Sequence, residues 1–333
     1  MSKVSFENEI SYDGPMTTGA GDHVDEILTA WRRVLPSVDP SPIGITGRVT
    51  RITLYTERSA DDHLERYRLT SSGFEVLLAL HASVTRQLSP TLLAKAQQMS
   101  SAGVTGVVDQ LAALGLVVRS RESHDRRRIH VSLTPAGSDM VTIAGAGWRL
   151  TQQRLVHSLE AGVVRSLDRL LGRLANAADP GLNGSDDGTS RRMARIALHI
   201  NTEAEAIFSR FGVTHAGFQV LASVYRAGPP YRRSPSGVAR GLMLSAAGLT
   251  GRMDQLERSG LLQRNRDRED RRAVVVELTP NGRRLVRAAF PVFVASHARL
   301  LRQALDPEQE AALAALLRRV LHRVEPSEPP RRP

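Results

Sequence analysis

Arginine clusters twice in this chain. Residues Arg121–Arg128 read RESHDRRR, and Arg264–Arg272 read RNRDREDRR. A charge run is usually only a solvated turn. Guanidinium groups at a hairpin tip can also pair with phosphate or enter a narrow, electronegative groove of a duplex. Upstream of each cluster lies a stretch of small, polar residues at helical spacing: Ser101, Thr105, Gly106 and Gln110, then Ala246, Thr250, Gly251 and Gln255. Such groups can approach base edges closely and exchange hydrogen bonds with them. The candidate DNA contacts of the first stretch are therefore Ser100, Ser101, Thr105, Gln110, Arg121, Arg126, Arg127 and Arg128. Those of the second are Ser245, Thr250, Arg252, Gln255, Arg266, Arg268, Arg271 and Arg272. Asp109 and Asp254 look misplaced on a helix facing phosphate. Their recurrence points to pairing with a hairpin arginine whose direction they fix. Asp125 and Asp270 suit the turn itself, because Asp bonds backbone two residues on.

Composition agrees with a polyanionic partner. The chain has 333 residues, with 45 Lys+Arg against 34 Asp+Glu and a formal charge of +11. Its length suits two domains. It has no cysteine, which removes disulfides, thiolate metal sites and thiol chemistry. No HExxH, GxxxxGK[ST] or GxGxxG motif occurs, so no enzyme, cofactor or metal is expected. His199 and Glu203, four apart, read as a solvated helix face rather than a metal site. Aromatics are 4%, too few for a base-stacking surface. No run approaches a membrane span and no secretory leader is visible, so a cytoplasmic protein without membrane contact is expected.

Stepping outward, the elements that must position these groups come in duplicate. Ser100–Gly137 and Ser245–Gly282 align without a gap, and 20 of 38 pairs are identical. The expected organisation is a disordered tail over 1–21, one repeat over 22–178, a Gly/Asp/Ser linker over 179–190, a second repeat over 191–325 and a tail over 326–333. In each repeat a helix starts at a Ser-Pro pair (Ser89-Pro90, Ser234-Pro235). The next helix buries Val104, Val108 and Leu111, or Leu249, Met253 and Leu256. Gly115 ends the first of these. Strands over Leu116–Arg121 and Ile129–Leu133, and over Leu261–Arg266 and Val274–Leu278, flank the arginine turns. A long helix follows each Thr-Pro. Earlier, a helix is expected over Arg48–Tyr67 and another from Phe74. The fold class is mainly α (α+β), with two winged helix-turn-helix units.

The run from Ser-Pro through the small-residue helix to "DRR…V.LTP.G" resembles the MarR family of bacterial transcription regulators. The triplets Asp125–Arg127 and Asp270–Arg272 match that family's wing signature, and Asp25–Gly47 resembles the leader of actinobacterial members. The resemblance spans about residues 22–325. It implies a regulator, expected to be a repressor, that binds double-stranded DNA. In the family, dimers pair their terminal helices, each subunit offers one winged helix to half a palindrome, and small anionic or aromatic ligands weaken binding. With two repeats in one chain, the expectation is a monomeric pseudo-dimer joined by long helices; a homodimer of the two-repeat chain is the alternative. Because Val107 faces Arg252 between copies, the operator is expected to be an imperfect palindrome. An effector pocket is placed near Tyr55, Tyr67 and Phe74 in one copy and Phe208, His215 and Phe218 in the other. The rival function is an interaction or scaffold protein in which one or both winged helices no longer bind DNA.

Overall fold

The computed structural model describes residues 21–97, 99, 101–121, 129–153, 159–180, 188–266 and 274–325. Both tails and linker residues 181–187 lie outside the described residues.

Asp22 and Asp25 cap the first helix reciprocally, each carboxylate accepting the other's backbone N–H (3.2 and 2.9 Å). That helix is α1 (His23–Val34). It is followed by α2 (Pro42–Leu64), a 3-10 turn (Glu65–Tyr67), α3 (Ser71–Ala82), β1 (Gln87–Leu88), α4 (Pro90–Gln97) and α5 (Ser101–Ala113). Then come β2 (Val117–Arg121), β3 (Ile129–Leu133), α6 (Pro135–Gln153) and α7 (Ala161–Ala178). The second half runs α8 (Thr189–Ser209), α9 (His215–Tyr225), β4 (Arg232–Arg233), α10 (Pro235–Leu242) and α11 (Ala246–Arg258). It ends with β5 (Leu262–Arg266), β6 (Val274–Leu278), α12 (Pro280–Ala304) and α13 (Pro307–Val324). Each half is a winged helix-turn-helix unit flanked by long helices. None of the described helices is long and apolar enough to cross a membrane.

The first long helix begins at Pro42, six residues before its expected start, and turns 3-10 at Glu65. Each hairpin also gains a third, two-residue strand that the sequence pattern is too short to reveal. The sheet orders are β1-β3-β2 and β4-β6-β5, all antiparallel.

The repeated LTP.G motif has a local physical cause. Thr134 Oγ1 accepts from Gly137 N (3.0 Å) and donates to Gly115 O (2.8 Å). Thr279 does the same with Gly282 N (3.1 Å) and Gly260 O (2.7 Å). One hydroxyl thus caps the long helix and fastens it to the end of the preceding one. A Cβ at Gly137 or Gly282 would stand 2.1 Å from the carbonyl oxygen of Leu116 or Leu261, so neither position accepts a side chain. Gly115 and Gly260 end α5 and α11 at φ +72° and +65°.

Three apolar cores result. One, within α3–α6 and the end of α2, holds Leu64, Phe74, Leu77, Val104, Val108, Leu111 and Val131. The second, within α9–α12, holds Phe218, Leu221, Leu249, Met253, Leu256, Val276 and Phe290, and also Trp31 of α1. Trp31 is 2% exposed and stacks on Phe290 with centroids 3.6 Å apart. The third core draws on both halves: Val49 and Ile52 of α2, Leu167 and Leu171 of α7, Met193 and Ile196 of α8, Leu301 of α12, and Leu313 and Leu317 of α13. Beside it, the buried Arg48 donates to Asp22 (2.7 and 2.9 Å), Asp25 (2.6 Å) and Gly44 O (2.9 Å). Arg318 of α13 closes on the same Asp25 (2.9 and 3.0 Å). The two ends of the described chain are thereby tied together.

Candidate nucleic-acid interface

Helix α5 buries Val104, Val108 and Leu111 at i, i+4 and i+7, which turns Ser101, Thr105, Gly106, Asp109 and Gln110 outward. Helix α11 buries Leu249, Met253 and Leu256 and exposes Ala246, Thr250, Gly251, Asp254 and Gln255. The small residues are not demanded by packing. A Cβ at Gly106 or Gly251 would meet nothing within 4 Å. The outward face is narrow because its residues are small, and a surface outside the chain could approach it closely.

The hydroxyls on this face are already oriented. Thr105 Oγ1 donates to Ser101 O, and Thr250 Oγ1 to Ala246 O, both at 2.9 Å. Each leaves lone pairs and a methyl group facing out. Ser245 accepts from Gly248 N (3.1 Å), so its oxygen caps α11. Arg252 is half-buried, where the first copy carries Val107.

Asp109 and Asp254 do pair with arginines, and the partner is the same position in both copies. Arg119 of β2 meets Asp109 at 2.8 Å, and Arg264 of β5 meets Asp254 at 2.6 Å. Each guanidinium also donates to the helix backbone, Arg119 to Thr105 O (3.1 Å) and Arg264 to Thr250 O (3.4 Å). The arginine thus clasps the base of the wing to the middle of the helix. In the second copy Glu257 adds a further bond (2.8 Å); the first copy has Ala112 there. Arg119 was not among the expected contacts. Its signal was available, since Arg119 and Arg264 align and stand ten residues after Asp109 and Asp254.

Arg266 ends β5 and is exposed; Arg121 ends β2. Ser100, Asp125, Arg126, Arg127 and Arg128 lie outside the described residues, as do Arg268, Asp270, Arg271 and Arg272.

The expected pocket residues behave differently in the two halves. Phe208, His215 and Phe218 come together: Phe208 stacks on Phe218 (3.9 Å) and on His215 (5.6 Å). Phe293 of α12, which the sequence reading missed, joins them at 5.2 Å from Phe208. Burial is the main cause that holds His215 down at about 4; Glu205 opposes the shift and Arg252 adds to it. In the first half the three residues separate. Phe74 packs on Trp148 (5.4 Å), Tyr67 meets His63 edge-on (5.9 Å), and Tyr55 donates to Glu325 (3.1 Å) in the shared helical layer. Two clefts between α8 and α12 are lined by none of the six.

Comparison with known proteins converges on one family. A model described as MarR family matches twice, over residues 69–128 and 211–273. The HTH-type transcriptional regulator PecS of Dickeya dadantii (strain 3937) is 35% identical over 131 residues, covering 38% of this chain and 76% of PecS. The HTH-type transcriptional regulator SarZ of Staphylococcus epidermidis is 28% identical over 118 residues, covering 32% of this chain and 78% of SarZ. Among solved structures, the S. aureus MepR–DNA complex aligns at 26% identity and a TM-score of 0.31, over 32% of this chain and 78% of that one. Carrying the winged helix-turn-helix pattern twice and matching PecS over three quarters of its length, this chain belongs to the MarR family of transcriptional regulators.

Proposed function

We propose that the chain is a single-molecule equivalent of a family dimer, and that it represses transcription by holding both halves of one operator. The repeats 22–178 and 191–325 act as the two subunits, joined by 179–190. The observation that carries this reading is the duplicated clasp: in both copies an Arg–Asp pair fixes a wing strand against an exposed, small-residue helix. Decay of one copy into a scaffold would leave no reason to keep that geometry twice. The core built from helices of both halves supplies what a dimer interface supplies elsewhere.

In this reading α5 and α11 lie in successive major grooves, and Arg121, Arg126, Arg127 and Arg128 reach phosphate or minor groove from one wing. Arg266, Arg268, Arg271 and Arg272 do so from the other. Asp125 and Asp270 shape those turns. Thr105 and Thr250, their protons turned inward, accept from an adenine or cytosine amino group or pack against a thymine methyl. Arg252 adds a guanine contact that Val107 cannot, worth about 1–3 kcal/mol against a wrong base. The operator is then an imperfect palindrome. A small aromatic or anionic effector would relieve repression by opening the Phe208–His215–Phe218 cluster.

Selection of sites from random duplex DNA tests the reading. Two unequal half-sites, with a guanine step that Arg252→Ala no longer requires, are expected. A symmetric consensus indifferent to Arg252, or no selected site at low salt, contradicts it.

A further inference from the structure

A cleft opens between α7, α8 and α12, in the helical layer away from both wings. Ile200, His297 and Leu300 line it together with Ala177 and His199, and Glu203 and Arg299 stand at its rim. Its volume is about 110 Å3, against the roughly 10–15 Å3 that one water needs. The cleft therefore has room for a molecule of ring size.

His297 is 5% exposed, and its Nδ1 lies 2.6 Å from Thr46 Oγ1. Thr46 also reaches Pro42 O at 3.2 Å. A carbonyl only accepts, so the single hydroxyl proton goes to Pro42, and Thr46 must accept from His297 Nδ1–H. Nε2 then carries the lone pair. It is buried and has no hydrogen-bond partner among the described residues. An unpaired buried acceptor is costly, and a donor that entered the cleft would remove that cost.

Charge narrows the ligand. Glu203 and Arg299 lie 3.5 Å apart and neutralise each other at the rim, so the cleft offers no surplus cation to hold an anion. Shape explains why the cleft is one-sided. Ile196, Ala204 and Phe208 fall at the positions of Ile52, Ala60 and Leu64, which places His199 where the first copy has Tyr55. There the larger ring extends to Glu325 (3.1 Å). The shorter imidazole of His199 leaves the space open.

We propose that this cleft binds a small uncharged ring molecule whose O–H or N–H donates to His297 Nε2. The site is separate from the aromatic cluster invoked for effector release, since Phe208, His215 and Phe218 do not line it. The proposal therefore stands whether or not DNA binding proves regulated.

Phenol, toluene and benzoate, titrated into the full chain, test it by calorimetry and by the imidazole 15N shift of His297. Phenol is expected to bind about tenfold tighter than either other probe, as one buried hydrogen bond would give, and to move the Nε2 signal. His199→Tyr, which restores the first copy's ring, should abolish binding. Should that variant fail to fold, Ala177→Met fills the cleft from α7 and should act alike. An unmoved Nε2 signal at about 10 mM phenol, roughly ten times a weak Kd of ~1 mM, overturns the proposal. So does equal binding of the three probes, or phenol binding that persists in the folded filling variant.

Discussion

Arg264 divides one guanidinium among Asp254, Glu257 and the carbonyl of Thr250, and Arg119 does the same with Asp109 and Thr105. These pairs are half-exposed, so each contributes under about 1 kcal/mol to folding. Their effect should fall on wing direction instead. Arg119→Ala and Arg264→Ala are expected to melt within a few degrees of the parent yet bind operator about tenfold more weakly, a loss of ~1.4 kcal/mol. Thermal melts and gel shifts on the same preparations check this, and parental affinity would show that the clasp does not aim the wing. Two buried histidines give a second expectation. Burial holds His297 down at about 3 and is the main cause holding His215 at about 4. Both rings stay neutral when folded but take up a proton near pH 6.5 when unfolded. Their stabilisation is complete above about pH 6.5 and falls as pH drops toward the folded values. Urea unfolding should show a loss on the order of 2 kcal/mol per ring between pH 7 and pH 5. A chain as stable at pH 5 as at pH 7 would contradict it. At this scale the sequence announced that Asp109 and Asp254 were paired. It did not announce the partner, because a strand arginine reaches the helix only through hairpin register, while the arginines of the turn attract the eye.

Helix α1 does more than lead into α2. Trp31 inserts beside Phe290 and Tyr225, and Arg33 donates to Arg226 O at the end of α9 (3.0 Å). The first copy has Gly145 where Phe290 stands, so no matching ring awaits a tryptophan there. Trp31→Ala should cost about 3–5 kcal/mol, the range for emptying a buried aromatic site. Hydrogen exchange should then speed up in α9 and α12 while α3 stays protected; equal loss in both halves would mean that α1 braces them alike. The legible elements were those with a local chemical sign. Ser-Pro starts, the Thr-Pro-x-Gly cap and the i, i+4, i+7 cores of α5 and α11 all stand in the string. The start of α2 did not, because Gly44 and Gly47 weaken its helical signal; both face α1, with Leu28 and Val24 in contact range of an added Cβ. Strands β1 and β4, two residues each, are set by the partner strand rather than by their own pattern.

The whole molecule is held by packing that no local pattern encodes. The duplication was plain from aligned residues, and so was the duplicated winged fold. That α2 packs on α8 and α13, and α7 on α8 and α12, depends on how the halves meet. Arg48 shows the same dependence: nothing near it in sequence predicts Asp22 and Arg318 around one buried cluster. Arg48→Met strands a buried Asp22 and should destabilise the chain by about 3–5 kcal/mol, while Asp22→Asn with Arg48→Met should recover much of the loss. Denaturant midpoints of the three proteins decide it. The central claim is that one chain does the work of two subunits, and native mass spectrometry of the chain on its selected duplex tests that most directly. The account predicts one 36.4 kDa chain per duplex, with footprints on two half-sites about one helical turn apart. Two chains on that duplex, each protecting a single half-site, would contradict it.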